Sequence, residues 1–427
     1  MTEFRIECFQ NEYLPEGADV MNAVITVVAG GTSPVSNHDT GVNAGSTDRA
    51  ELVIIDTSGS MMGSKLHEAK AATATAIRGL PEGVRFGIIS GDTTARVVYP
   101  AVPPLAVSSA TTRHEATESL RTLEAAGGTA IGAWLSLATH VLRDEQGIKH
   151  AILLTDGENE HETPEVLQQV LAQAKGVFQC DCRGVGTDWK VAELRTIATA
   201  LLGTYDIVAH PSELSSDFLT MMQDSLSKQV AEVTLRVWTP HGAEVVVLKQ
   251  LEPVLLDLTP SRNPAGPLLG DYPTGSWGDE ARDYHLSIRV LPGAVDDTML
   301  AGRVSLLVDD EVVGQALVKA IWTGDVARST HINRRVAEAM GESELADVIQ
   351  QGIDAHRAGD TDTATSHFGT AVRLAADHGN DEALDRLATV VDIEDAATGL
   401  VRPKSKVDDT DVMIVETRST RTVRTRP

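Results

Sequence analysis

A short apolar run that ends in a carboxylate constrains the fold of this chain more than any other feature. Residues 52–55 are β-branched or leucine and apolar on both faces, which predicts a central strand of a parallel sheet. Asp56, Ser58 and Ser60 follow, and Gly59 permits a tight loop between the two serines. Because ligands gather where such strands end, three hard oxygen donors are expected to converge there. Alone, this pattern is also typical of a capped helix.

Two further segments supply similar donors. Thr129 follows two glycines on a loop between two stretches with helical patterning, 113–123 and 131–142. The apolar residues 151–154 precede Thr155, Asp156 and a glycine, and so repeat the first strand end. Oxygen donors that carry few full charges suit Mg²⁺, with Mn²⁺ or Ca²⁺ as alternatives. The predicted metal-site residues are Asp56, Ser58, Ser60, Thr129 and Asp156.

These segments together resemble the metal-ion-dependent adhesion site (MIDAS) of the von Willebrand factor type A (vWA) family. In that family the site combines an Asp-x-Ser-x-Ser motif, a loop threonine and an aspartate at a strand end. The resemblance implies that Ser58, Ser60 and Thr129 bind the ion directly, while Asp56 and Asp156 act largely through water. It also implies that an acidic residue of a partner protein fills the sixth position.

The chemistry of such a site favours binding over catalysis. When the carboxylates contact the ion only through water, the ion keeps more of its positive charge and attracts an external anion. No phosphate-binding glycine loop with its lysine and no Ser-His-Asp motif is recognisable, and Lys65 and His161 are expected to be solvated. We therefore predict a Mg²⁺-dependent protein-interaction module that is not an enzyme. The alternative is a metal-dependent phosphate hydrolase that uses the same ion.

Length, charge and cysteine content narrow the setting. A chain of 427 residues has room for two or three domains. Its net charge of −25 argues against nucleic acid and anionic membrane surfaces as partners. Neither a signal-like N-terminal segment nor an apolar run of membrane-spanning length is visible. Three cysteines do not make a disulfide framework, and Cys180 and Cys182 are expected to be buried in a strand. We predict a soluble, cytoplasmic protein.

Patterning along the chain predicts a multidomain α/β protein. Residues 51–228 alternate strands and helices, which indicates a Rossmann-like domain with a mainly parallel sheet and helices on both faces. The resemblance of its motifs implies that this is the vWA domain. Residues 229–325 show period-two patterning typical of a β-sandwich. Residues 2–29 are predicted to form two strands joined by a turn at residues 14–17. The N-terminal residues 1–29 are predicted to complete the sandwich, or alternatively to pack on the vWA domain. Residues 30–50 are the predicted linker. Residues 326–400 are predicted to be helical, with one tetratricopeptide-like hairpin and a helix cap at Asp360.

The last region, residues 401–427, is predicted to be a disordered tail. Its threonines near arginines are accessible to a Ser/Thr kinase if the tail is flexible, and each phosphothreonine would offer a charged handle to a reader domain. The four threonines are Thr417, Thr420, Thr422 and Thr425. Cytoplasmic bacterial vWA proteins are often associated with Ser/Thr kinases and forkhead-associated phosphothreonine readers. The resemblance therefore implies a scaffold or adaptor in a bacterial signalling or stress-response complex.

Overall fold

The computed structural model describes residues 2–30, 48–404 and 406–419. The chain divides into two compact units. The first comprises Met1–Thr32 and Glu232–Pro427, and the second comprises Ser33–Ala231. Most of the predicted linker, residues 31–47, lies outside the described residues.

Three strands occupy the N-terminal part of the first unit. They are β1 (Glu3–Gln10), β2 (Tyr13–Pro15) and β3 (Val20–Gly30). The sequence predicted only two strands, with a turn around residues 14–17. The additional strand forms because Leu14 is buried and Tyr13 pairs in parallel with Ile321 of a distant strand. β3 also extends to Gly30, one residue into the predicted linker.

The second unit alternates strands and helices. Its elements are β4 (Arg49–Asp56), α1 (Ser64–Arg78), β5 (Arg85–Gly91), β6 (Ala95–Tyr99), β7 (Ala106–Val107), α2 (Ala110–Ser119), α3 (Ile131–Leu142), β8 (Ile148–Thr155), α4 (Pro164–Ala174), β9 (Gln179–Val185), α5 (Val191–Ala200), β10 (Tyr205–Val208) and α6 (Leu214–Ser227). The strand order is β10-β9-β8-β4-β5-β6, and β7 also pairs with β5. β10, β9, β8, β4 and β5 are parallel, whereas β6 and β7 run antiparallel to β5.

Both faces of this sheet are covered. Val53 and Ile55 of β4 pack in one apolar cluster with residues of α1 and α6. Leu52 and Ile54 point to the opposite face because side chains alternate along a strand, and they are equally buried. Trp134 of α3 is fully buried there and packs against β5. The predicted mainly parallel sheet with helices on both faces is confirmed.

The first unit resumes after residue 231 with eight strands that form two sheets together with β1–β3. They are β11 (Val233–Trp238), β12 (Glu244–Gln250), β13 (Leu256–Asp257), β14 (Asn263–Gly266), β15 (Leu269–Pro273), β16 (Glu280–Arg289), β17 (Thr298–Val308) and β18 (Glu311–Thr323). The five-stranded sheet has the order β1-β3-β16-β12-β13, and the six-stranded sheet has the order β14-β15-β11-β17-β18-β2. Ile288 of one sheet packs directly on Gly302 of the other, so the two sheets share an apolar interior.

The C-terminal part of the first unit is mostly helical. Its elements are α7 (Val326–Ser329), α8 (Arg334–Arg357), α9 (Thr361–Asp377), α10 (Asp381–Val390), β19 (Val391–Asp395), β20 (Leu400–Pro403) and α11 (Asp409–Arg418). Asp360 caps α9 by accepting a hydrogen bond from the Thr363 N–H, as predicted. β19 and β20 pair as a short antiparallel hairpin. β20 ends at Pro403, beyond residue 400, where the sequence predicted that this region ends.

The prediction of disorder from residue 401 onward is wrong for the described part of the tail. α11 packs Val412 and Val415 into the same apolar cluster as α8, α9 and α10. Glu416 is buried and accepts a hydrogen bond from Arg357 at 2.6 Å. Thr417 is only 1 % exposed, so it is not the accessible phosphorylation site that the sequence suggested. Residues 420–427, with the other three threonines, lie outside the described residues.

Two smaller features concern the expected cellular setting. Cys180 and Cys182 are buried in β9, and all three cysteines are free thiols. In the described ranges, every helix is too short or too polar to cross a membrane.

Candidate metal centre

Two carboxylates end neighbouring strands at the same edge of the parallel sheet. Asp56 is the last residue of β4, and Asp156 directly follows β8. β4 and β8 pair in parallel up to Ile55 and Leu154, so their ends are adjacent. Both carboxylates are inaccessible to solvent, with 0 % of each residue exposed.

The loop after β4 turns two serine hydroxyls toward Asp156. The Ser58 N–H donates to Asp56 Oδ1 at 2.7 Å, and the Gly59 N–H donates to the Gly127 carbonyl at 2.9 Å. The Ser58 and Ser60 hydroxyl oxygens lie 2.9 Å apart, and Ser60 Oγ donates to Asp156 Oδ1 at 2.6 Å. Ser58 is buried, whereas Ser60 is exposed. The loop therefore presents one hydroxyl to the interior and one to the surface.

Thr129 faces the same space from the loop before α3. Its residue is only 5 % exposed. A Cβ added to Gly157 would lie 3.3 Å from both Thr129 Oγ1 and Ser60 Oγ. A side chain at position 157 would crowd both hydroxyls, so the two hydroxyls border one small space beside Asp156. The structure thus brings together all five residues that the sequence placed at the site.

The segment after Asp156 folds back over the start of α3. The Glu162 carboxylate accepts hydrogen bonds from the Gly132 and Ala133 N–H groups at 2.6 and 2.8 Å, an arrangement that suits the positive end of a helix. His161 is exposed, as expected, but its ring also accepts a hydrogen bond from the Thr129 N–H at 3.3 Å. A Cβ at Gly128 would overlap this ring at 1.9 Å. The segment therefore fixes the position of Thr129.

Asp56 is held by two donors in a dry environment. Thr155 Oγ1 donates to Asp56 Oδ2 at 2.6 Å, in addition to the Ser58 N–H. Burial raises the pKa of Asp56, and the nearby charge of Asp156 raises it further, while these hydrogen bonds oppose both effects. A cation beside the two carboxylates would relieve this electrostatic strain.

Lys65 is the cation that lies at this site in the structure. Its ammonium is 2.6 Å from Asp156 Oδ2 and 3.3 Å from Asp188 Oδ2, and its side chain is 24 % exposed. Desolvation lowers the pKa of Lys65, but its pairing with Asp156 and Asp188 outweighs that effect and raises the pKa. The expectation that Lys65 is a solvated helix residue is wrong. The reason is that α1 begins directly after the motif loop and carries Lys65 back toward Asp156.

The donor set fits a hard divalent cation. Three hydroxyl oxygens and two carboxylates are the ligand types that Mg²⁺ prefers in proteins. Lys65 supplies one positive charge against the two buried negative charges of Asp56 and Asp156, so negative charge remains in excess. Sequence reasoning missed Lys65 and Thr155. Thr155 directly precedes Asp156, but nothing in the sequence indicates that its hydroxyl reaches Asp56.

Comparison with known proteins places the chain in a family. A family model described as the von Willebrand factor type A domain matches residues 50–207, and one described as the von Willebrand factor type A C-terminal domain matches residues 373–419. The solved structure of a von Willebrand factor type A protein from Catenulispora acidiphila is 42 % identical, with a TM-score of 0.92. That match covers 99 % of this chain and 97 % of the other. The chain belongs to the von Willebrand factor type A family.

Two more distant proteins also match the chain. The ArnB paralog VWA2 from Sulfolobus acidocaldarius is 14 % identical, with a TM-score of 0.58, and the match covers 98 % of both chains. At that identity it shows a shared fold alone. An uncharacterized protein of Synechocystis, sll0103, is 28 % identical over 276 residues. The match spans 62 % of this chain and 62 % of that relative. The second family model covers α11, so the helical end of the first unit is a recognised part of the family pattern.

Proposed function

We propose that this vWA protein binds Mg²⁺ at its strand-end site and uses the ion to hold an acidic residue of a partner protein. Ser58, Ser60 and Thr129 would supply hydroxyl oxygens, and Asp56 and Asp156 would act largely through bound water. Bound Mg²⁺ would supply an uncompensated positive charge to an external carboxylate. Proteins of this family are generally interaction modules, which supports the proposal.

One observation carries the proposal: two hydroxyls from different loops, Ser60 and Thr129, border one small space beside two buried carboxylates, and Ser58 Oγ lies next to Ser60 Oγ. Ser60 Oγ reaches Asp156 at 2.6 Å, and Thr129 Oγ1 faces the same space across Gly157. The Ser58 N–H and the Thr155 hydroxyl both donate to Asp56 and hold its carboxylate in place. Among the described site residues, no side chain is placed to act as a general base. This arrangement favours recognition of an anion over hydrolysis.

The first test measures partner capture with and without Mg²⁺. The full-length protein is used as bait in a bacterial lysate, with Mg²⁺ or a chelator, and captured proteins are identified by mass spectrometry. We expect at least one protein that is captured only with Mg²⁺ and is lost with Thr129→Ala or Asp56→Ala. The matched control is Thr122→Ala, whose exposed hydroxyl bonds only the nearby Ser119 carbonyl.

The second test separates binding from catalysis. Calorimetric titration should show Mg²⁺ binding that weakens at least about tenfold in Thr129→Ala. Generic phosphoesters should not be hydrolysed by the wild type with Mg²⁺ or Mn²⁺. Metal-dependent turnover that disappears in Thr129→Ala would instead establish a phosphate hydrolase. Absence of Mg²⁺ and Mn²⁺ binding at millimolar concentrations would refute the metal site itself.

We further propose, with the sequence of the tail as support, that Thr420, Thr422 and Thr425 are phosphorylated by a Ser/Thr kinase and read by a forkhead-associated domain. Arginines flank these threonines in a basic stretch of an acidic protein. Such a switch would fit a cytoplasmic scaffold in bacterial signalling or stress response. Intact-mass analysis after kinase co-expression should find phosphate beyond residue 419, and its absence there would refute the idea.

A further inference from the structure

A second candidate site lies in the first unit. It is a cavity of about 550 Å³, bordered by β3, β16, the first turns of α8 and the turn between α9 and α10. This volume falls within the range of pockets that hold small ligands or single side chains, about 300–1,000 Å³. The metal site, in contrast, is built entirely within the second unit.

The floor of this cavity is apolar. Val24, Leu251 and Ala339 line it, and they form a small buried cluster with Val336. Each of the three lining residues is less than 5 % exposed. An alkyl chain laid on this floor would bury its methylene groups.

The wall of the cavity is acidic and contains a buried oxygen without a donor. Asp283 lines the cavity, is 9 % exposed, and its Oδ1 has no hydrogen-bond partner among the described residues. The nearest cation is Arg335, whose Nη1 is 3.8 Å from the other oxygen, Oδ2. The Arg335 guanidinium lies over the ring of Phe9, 4.7 Å from its centroid. At this distance Arg335 does not hydrogen-bond Oδ2, although buried carboxylate oxygens normally have a donor. Because Oδ1 is closed to solvent, a cation in the cavity would meet this carboxylate at Oδ2.

Glu342 adds a second carboxylate that lacks a partner. It lines the cavity one turn beyond Glu338, and the described residues form neither a hydrogen bond nor an ion pair with it. Burial raises its pKa to about 7, and the charges of Glu252, Asp283 and Glu338 add to the increase. The four carboxylates therefore repel one another around the cavity. Arg334, the other arginine on the rim, is 91 % exposed and pairs with Glu338.

The side chains that line this cavity suit an organic cation better than a metal ion. In the described ranges, no cluster of three or more His, Cys, Asp or Glu side chains is arranged to hold a metal ion. An ammonium or guanidinium on an alkyl chain would satisfy both parts of the cavity, because its methylene groups fit the apolar floor and its N–H groups reach the carboxylates. We propose that this cavity binds such a cation, contributed either by a lysine or arginine side chain of another protein or by a free polyamine. The proposal does not depend on the metal site.

Calorimetry with two probes tests this proposal on the full-length protein. The probes are spermidine and the blocked tripeptide acetyl-Ala-Lys-Ala-amide, and the neutral control is the same tripeptide with norleucine in place of lysine. A chelator is present so that the metal site does not contribute. We expect one or both cationic probes to bind with a Kd below about 1 mM and the neutral peptide not to bind. Binding of spermidine alone would identify a free polyamine, and binding of the peptide alone would identify a protein side chain.

Two variants test whether the cation binds in the cavity. Glu342→Gln and Asp283→Asn should each weaken binding roughly tenfold, since each removes one negative charge that faces the ligand. The matched control is Glu344→Gln, an exposed position on the same helix that does not line the cavity. Glu342→Gln breaks no hydrogen bond or ion pair of the described residues, so it is expected to fold even if Asp283→Asn does not. Failure of both probes to bind, equal binding of the norleucine peptide, or equal affinities of Glu342→Gln and Glu344→Gln would overturn the proposal.

Discussion

Replacing Thr155 with valine tests the buried network that holds Asp56, a carboxylate of the proposed metal site. The Thr155 hydroxyl is fully buried, donates to Asp56 Oδ2 at 2.6 Å, and accepts from the Gly157 N–H at 3.2 Å. Valine keeps the shape of the side chain but removes the donor and leaves the Gly157 N–H without this partner. A hydrogen bond to a charged group contributes about 1.5–3 kcal/mol, so we expect Thr155→Val to lower the free energy of unfolding by about 2–3 kcal/mol.

The assay is calorimetric unfolding of the full-length protein in the presence of a chelator. For a unit of this size, a loss of about 2–3 kcal/mol corresponds to a decrease in Tm of about 4–12 °C. The control is Thr73→Val in α1, where an equally buried hydroxyl donates only to the Ala69 carbonyl of its own helix, at 2.8 Å. We expect this control to lose less than about 1 kcal/mol. Equal losses in the two variants would refute the reasoning.

The same variant should also affect metal binding. A residue that orients a metal-site carboxylate typically changes metal affinity about 10- to 100-fold when it is replaced. Thr155→Val should therefore bind Mg²⁺ at least about tenfold more weakly than the wild type, while Thr73→Val should bind it normally. Unchanged Mg²⁺ affinity in Thr155→Val would show that Thr155 stabilises the fold without organising the site.

Three further changes test other features of the structure. Lys65→Met removes a positive charge from the metal site and should raise Mg²⁺ affinity at least roughly fivefold in calorimetry, whereas Lys70→Met on the same helix should not. Burial lowers the pKa of His150, but the neighbouring carboxylates of Glu51 and Asp181 outweigh this effect and raise the pKa to about 10. Protonated His150 therefore contributes its full stabilisation of the folded protein below pH 6.5, and this contribution is lost as the pH rises through 10. Urea unfolding should show this decline in the wild type and a flatter profile in His150→Gln. Arg357→Met removes one cation that pairs with the buried Glu416 carboxylate of α11, and should cost about 2 kcal/mol and speed proteolysis after residue 404.

The clustering of the five predicted site residues could be foreseen because its signal lies in short local patterns. An apolar strand followed by Asp56, and a second followed by Asp156, place two carboxylates at one sheet edge whatever the rest of the chain does. The contact between Lys65 and Asp156 was not predictable, because it depends on how the helix after the loop is oriented. From sequence alone, a charged residue on a predicted helix is expected to be solvated, because a partner that is distant in the sequence is not visible.

The C-terminal helix α11 shows why the tail was misjudged. Residues 408–418 contain four carboxylates, and their apolar run, residues 412–415, is only four residues long and is followed by a basic stretch, a pattern typical of a solvated segment. Its stability comes from partners that are distant in the sequence: Val412 and Val415 enter a cluster built by α8, α9 and α10, and Arg357 bonds Glu416 across 59 positions. Tertiary packing of this kind overrides local composition, and a single sequence does not reveal it.

The pairing of β3 with β16 has a consequence for the order of events during synthesis. His285 of β16 bonds Asn22 of β3 across 263 positions, and all of Ser33–Ala231 lies between them. At about 5–20 residues per second, β3 leaves the ribosome roughly 10–50 s before its partner strand exists. Until then the hairpin of β1 and β3 has an open edge that other strands can bind. Slow codons between positions 232 and 280 would lengthen this interval, so translation speed in that stretch should influence how much of the protein aggregates.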